Sequence, residues 1–182
     1  KRQVLTGVAV SFIIMSGANM LIFLGDPRAT HTVVFWMLGG LGLAQWNQLI
    51  YPLIILIVCS LWLFSKSREL NALTVGDETG TTLGIPVVRF RLRVFVVGAL
   101  ITGVMVGFSG IIGFIGLVVP HLVRLLGGAK HTFLLPGSAL LGISICVLSD
   151  LFSGIVITPA ELPVGLATSA LGAPFFLWLI IR

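Results

Sequence analysis

The chain has 182 residues, 57% of them hydrophobic and only 9% charged, with a mean hydropathy of +1.14. A water-soluble domain carries about a quarter charged residues, and a chain this apolar has too little polar surface to cover a soluble globule. The net charge of +5 sits on single residues and short clusters between apolar runs, a membrane-topology pattern and not a nucleic-acid footprint.

Six apolar segments stand out, to be measured against the roughly 20 residues that cross about 30 Å of hydrocarbon. The first runs from about Val4 to Leu24. An amphipathic patch follows, "HTVVFWMLGGLGLAQW", which reads as interfacial or re-entrant because Trp36 and Trp46 suit the headgroup level. The second segment covers about Asn47 to Phe64.

Next comes the one substantial polar piece, residues 66–93. Its "RELNALTVGDETGTTLGIPVVRFRLR" predicts two short helices. The first spans Glu69 to Val75 and ends at Gly76 in a left-handed cap. Asp77 then caps the second, which Gly84 closes with Pro86 just beyond. Two helical turns lying across a membrane face form a docking surface, with Leu70, Leu73 and Leu83 as apolar anchors and Asp77 and Glu78 as a negative patch.

The third segment is about Val94 to Phe108, and the fourth, "IIGFIGLVVPHLVRLL", runs from Ile111 to Leu126. Pro120 removes a backbone hydrogen bond there, so a short, broken helix is expected. Such a helix persists at membrane depth only where protein or a cavity covers it. The fifth segment is about Phe133 to Phe152 and the sixth about Val164 to Ile181.

The basic residues test the count. With Lys1 and Arg2 cytoplasmic, six crossings put Lys66, Arg68, Arg89, Arg91, Arg93, Arg124, Lys130 and Arg182 on the same side and leave Arg28 alone outside. That asymmetry matches the excess of Lys and Arg in cytoplasmic loops and supports an even number of crossings. Arg124 then marks the cytoplasmic end of the fourth segment. The start at Lys1, without a signal-peptide pattern, fits a piece of a longer protein.

Covalent chemistry finds little support. "GDETGTTLG" lacks the GK[ST] ending of a phosphate loop. Cys59 and Cys146 lie in apolar runs and read as packing residues, and His31, His121 and His131 share no metal-ligand spacing. The "GFSG" run at Gly107–Gly110 invites an intramembrane serine protease with Ser109 and His121. Some ten helical residues would separate that pair by about 15 Å, against a hydrogen-bond reach of about 3 Å. Asp150 and Glu161 are the acids near membrane depth. They read either as a proton relay of a secondary transporter, with Asp150 its centre, or as acids that satisfy backbone donors at helix ends, the favoured reading.

The run "GFIGLVVPHLVRLLGGAKHTFLLPGSALLG", then "SDLF", then "PAELPVGLATSALGAPFFLWLIIR", resembles the FecCD-type permeases, as do the upstream "FWMLGGLG" and "LNALTVGDETGTTLGI" in order and spacing. These are the membrane subunits of ABC importers for iron–siderophores, haem and cobalamin. The resemblance implies an all-α polytopic membrane protein of the bacterial cytoplasmic (inner) membrane. Residues 1–182 would be helices five to ten of ten, the C-terminal half of a permease. It also implies a second permease subunit, as in a homodimer, two cytoplasmic ATPase subunits that hold ATP and Mg, and an extracytoplasmic substrate-binding protein. This chain itself would hold no cofactor or metal. Iron–siderophore uptake is the leading expectation for cargo.

Carried onto these positions, residues 66–93 become the coupling loop, with Leu70, Asn71, Leu73, Gly76, Asp77, Glu78, Leu83 and Gly84 as its contact residues. Gly113, Pro120, His121 and Arg124 fall in the short eighth helix of the family. Where many members carry an arginine in a "DLLAR"-like run, this chain has Gly154 in "DLFSG", so a charge-pair dock for the binding protein is not expected at that point.

Overall fold

The computed structural model describes residues 2–42, 44–156 and 162–181, and all of its regular elements are α-helices. It forms two compact units, Lys1–Met37 and Leu38–Arg182. The first holds α1 (Arg2–Leu24) and α2 (Pro27–Met37). Pro27 opens α2 where a missing N–H costs nothing. Thr30 ties the connection, its Oγ1 donating to Ile22 O at 3.1 Å. The patch read as interfacial or re-entrant thus begins as the last turns of α2, and the described residues of its remainder, from Leu38, lie outside regular helix.

The second unit holds α3 (Ile50–Ser65), α4 (Ser67–Val75), α5 (Asp77–Thr82), α6 (Val87–Ser109), α7 (Ile115–Gly127), α8 (His131–Val156) and α9 (Val164–Ile181). Among the described residues, three helices are long and apolar enough to cross a membrane, those of Leu5–Leu24, Val87–Ser109 and His131–Val156. A fourth span follows if α3 and α4, bent by 57°, count as one; α7 and α9 are shorter apolar helices. All six apolar segments of the sequence are therefore helical. Large apolar side chains such as Leu61, Phe95, Leu140 and Leu148 stay exposed along α3, α6 and α8, as in chains solvated by lipid.

Two boundaries differ from expectation. Helix α6 starts at Val87, seven residues before the expected Val94, directly after Pro86. Its 23 residues reach about 35 Å, longer than the roughly 30 Å hydrocarbon core. The extra turns carry Arg89, Arg91 and Arg93 beyond the apolar stretch. Helix α7 is short, with 13 residues, but it runs uninterrupted through Pro120. The break lies just before it, at Phe114, the one non-glycine with positive φ among the described residues (φ 64°). A bulky residue in that region is strained. Phe114 O accepts from the amides of Leu117 at 3.0 Å and Val118 at 2.9 Å, which holds the turn in place.

Two packing centres organise the second unit. Val119, Val123 and Leu134 form a buried cluster between α7 and α8, with Ile115, Leu141 and Ile145 against it. Gly137 leaves the space that Val123 enters: a Cβ there would lie 2.8 Å from Val123 Cγ1. At the Ser109 end of α6, three stretches of backbone interlock. The Gly40 amide donates to Ser109 O at 2.9 Å, and the Gly165 amide donates to Gly39 O at 3.3 Å. A Cβ at Gly165 would run into Leu38 O and would lie 2.6 Å from Ile111 O. Gly39, at φ +74°, likewise faces Ile111 O. Only glycine fits where backbones approach this closely.

Candidate functional site

The polar piece folds as two short helices, and its stops follow elementary capping chemistry. Gly84 has φ 75°. Its amide donates to Thr81 O at 3.0 Å while the Ile85 amide donates to Gly80 O at 3.0 Å. That pair of bonds closes a helix through a left-handed glycine, as expected at this position.

The other two expected caps are corrected. Gly76 is at φ 154°, ψ 160°, not in the left-handed helical region. This extended mirror conformation is open to glycine alone, and it turns the chain directly from α4 into α5. Asp77 does not cap α5, for which Gly76 is the N-cap residue with no side-chain bond. Its Oδ1 accepts instead from Arg91 Nη2 at 2.7 Å, tying α5 to the first turns of α6.

Three further links hold the pair. Leu73 and Val87 close over Gly80, where a Cβ would lie 2.7 Å from Leu73 Cδ2 and 3.1 Å from Val87 Cγ2. Lys66 Nζ meets Glu69 Oε1 at 2.8 Å within the α3–α4 bend. The hydrogen bond from Lys66 holds the Glu69 carboxyl below the usual glutamate range. Finally, Asn71 Oδ1 accepts from the His131 amide at 2.8 Å and lies 2.8 Å from His131 Nδ1, joining α4 to the first residue of α8.

The expected contact residues therefore divide. Leu70, Asn71 and Leu73 are part-buried against this chain, with Leu70 and Leu73 lining an open groove beside Phe90 and His131. Leu83, 66% exposed, faces outward, as do Asp77, Glu78 and Gly84. Val75 and Val88 add exposed apolar surface that sequence reading did not single out. It escaped notice because their exposure depends on the turn at Gly76 and the start of α6 at Val87.

The remaining residues lie elsewhere. Gly113 packs against α9, where its Cβ would lie 3.2 Å from Ser169 Oγ. Pro120 and His121 are part-buried within α7, and Arg124 is exposed on its last turn. Asp150 is not a helix-end acid: α8 continues to Val156, and the side chain is exposed within the helix. Glu161 lies outside the described residues. Ser109 Oγ donates to Met105 O at 2.9 Å and Gly110 O at 3.4 Å, back into its own turn and not toward a histidine base. At Gly154 a Cβ would meet nothing within 4 Å, so packing does not forbid a side chain there.

The Asn71–His131 joint was missed by sequence reading, though it left a trace. Helix α8 starts after "GGAK", which offers no Ser, Thr, Asp or Asn to take its first free amide. A helix start without a local cap needs an acceptor from elsewhere. Nothing in the local pattern says that it comes from 60 residues upstream.

Comparison with known proteins agrees with this architecture. The model of the FecCD transport family matches residues 1–182. The chain is 42% identical over 182 residues to the hemin transport system permease protein HmuU of Yersinia pestis, covering all of this chain and 54% of that protein. It is 37% identical over 181 residues to the vitamin B12 import system permease protein BtuC of Citrobacter koseri, covering all of this chain and 55% of that protein. A solved ABC transporter structure of metal-chelate type, in an inward-facing conformation, superposes with a TM-score of 0.91 at 30% identity, covering 98% of this chain and 59% of that one. The chain thus spans about half the length of the curated relatives it matches.

Proposed function

The chain belongs to the FecCD transport family, and from that premise we propose that it is the C-terminal half, helices five to ten, of the permease subunit of an ATP-driven importer. Its place is the bacterial inner membrane, where it pairs with a second permease subunit. Two ATPase subunits bind on the cytoplasmic side and carry ATP and Mg; a substrate-binding protein docks outside. The chain does no covalent chemistry. It passes its cargo by shifting between inward-open and outward-open states whose populations the partners bias.

One observation carries this reading: the α4–α5 pair is an ordered surface. With the start of α6 it presents Val75, Leu83 and Val88 outward, while Asn71 and Asp77 are bound to α8 and α6. A linker needs no such links; a lever does. The basic residues around it, Lys66, Arg68, Arg89, Arg91 and Arg93, support a cytoplasmic position.

The cargo belongs to the class of large metal chelates. The names of the relatives point to haem and vitamin B12, and an iron–siderophore is of the same class. Uptake of labelled haem, cyanocobalamin and ferrichrome by the complete transporter tests the proposal, with the ATPase intact and with its catalytic residues inactivated. One of the three should enter only with the intact ATPase. Uptake that persists with the dead ATPase but collapses with the proton gradient, and is lost in Asp150→Asn, would instead establish a proton-coupled carrier.

A further inference from the structure

We infer that Asn71 is the joint through which the α4–α5 pair moves α8. The inference rests on the reading that this pair receives the push of an ATPase. At the start of α8 the amides of Phe133 and Leu134 donate to Lys130 O, while "GGAK" offers no side-chain cap for that of His131. The amide of His131, its first residue, is a donor only, so it requires the oxygen of the Asn71 side chain and fixes which way that amide group points. The same oxygen lies 2.8 Å from His131 Nδ1. An oxygen already fixed as acceptor makes that second bond only with a protonated Nδ1, so the tautomer of His131 is set as well. One oxygen thus holds one residue at two points.

Among the described residues, the hydrogen bonds that join α4 to α8 are those between Asn71 and His131. Beside the joint lies an open groove lined by Leu70, Leu73, Thr74 and His131. The Arg91–Asp77 pair ties α5 to α6, not to α8, and both side chains are at least half exposed. An exposed ion pair of that kind holds a geometry weakly. The Lys66–Glu69 pair stays within the α3–α4 bend. A displacement of α4 is therefore passed to the start of α8 through Asn71. Helix α8 then carries it along 26 residues, past the buried cluster it shares with α7. Asn71 acts as a positioning residue.

Spin labels in the complete transporter with its ATPase subunits, reconstituted in nanodiscs, test this. Its native cysteines, Cys59 and Cys146 included, are first replaced. One pair, Glu78→Cys with Leu140→Cys, reports α5 against α8; a second, Phe95→Cys with Leu140→Cys, reports α8 against α6. All three positions are exposed. Double electron–electron resonance should give a narrow distance distribution for the first pair, and an ATP-dependent shift for the second. Asn71→Ala should broaden the first distribution and abolish the shift, while Asn71→Asp, which keeps the acceptor, should restore both. Unchanged distributions in Asn71→Ala, or an Asn71→Asp variant as defective as Asn71→Ala, would overturn the joint. If Asn71→Ala does not assemble, the comparison of Asn71→Asp with Asn71→Leu decides the same point. ATP that moves neither pair in the unsubstituted protein would overturn the ATP-driven reading and transmission with it. The resting width of the first pair would still decide the clamp.

Discussion

The two ends of α6 are joined to the rest of the second unit by different means. At Ser109, backbone meets backbone: the Gly40 amide donates to Ser109 O, and Gly165 lies against the carbonyls of Leu38 and Ile111 with no room for a Cβ. At Val87, side chains make the links: Arg91 to Asp77 and Val87 over Gly80, with Asn71 tying the neighbouring α4 to α8. Backbone contacts without side chains have one arrangement, whereas side-chain links can let go and re-form. On the proposed function, the first end stays fixed and the second is the one that is pushed.

The largest expected effect falls on the fixed end. Gly165→Ala would drive a methyl group into two backbone carbonyls that cannot yield. The cost should reach or exceed the upper end of the about 1–3 kcal/mol typical of overpacking, seen as a large fall in the melting temperature of the complete permease. A melting temperature unchanged by this substitution would erase the contrast between the two ends.

Gly80→Ala sharpens the contrast. The obstacles there are the ends of two side chains, Leu73 Cδ2 at 2.7 Å and Val87 Cγ2 at 3.1 Å, which can shift. The expected cost is about 1 kcal/mol, near the lower end of overpacking. A loss as large as that of Gly165→Ala would show that the α4–α5 pair is no looser than the junction.

Smaller still is the Arg91–Asp77 link. With both side chains at least half exposed, Arg91→Ala should cost no more than about 1 kcal/mol. The difference should shrink as salt is raised, because exposed charges are screened.

The smallest effect concerns Glu69. Lys66 lowers its folded pKa, so the stabilisation it gives is present above the unfolded value and is lost as pH falls through the folded one. Lys66→Met should raise the Glu69 titration measured by carbon NMR. It should weaken the protein slightly near neutral pH and leave no difference in acid below the folded pKa. A Glu69 titration that does not move would mean that the pair does not hold in solution.

These effects also show which features the sequence made legible. Apolar runs and turn glycines act locally, so the helical segments, the helix pair and the stop at Gly84 could be read directly. Asp77 misled because a local cap and a distant Arg91 compete for one carboxylate, and the distant charge won. The start of α6 was misplaced because three arginines look like loop when hydropathy alone is read, although Pro86 marked the boundary. Asp150 looked terminal because its segment was ended at Phe152, whereas "SGIV" continues the helix. Pro120 looked like a break, yet α7 runs through it, and the break lies at Phe114, where no residue type announces a positive φ. The junction of Gly39, Ile111 and Gly165 joins parts of the chain far apart in sequence, and no periodicity reports such a meeting.

On the proposed function, the exposed face of α4–α5 is where a cytoplasmic ATPase grips. Leu73 is part of the internal packing, so the direct test uses Leu83, which is exposed at the end of α5. Co-purification of the ATPase with the complete permease carrying Leu83→Asp is the measurement. A correctly inserted, normally stable permease is expected, with ATPase binding weakened by about 2 kcal/mol or more, the loss typical of a central contact residue. Undiminished ATPase binding to that variant would contradict the proposed function.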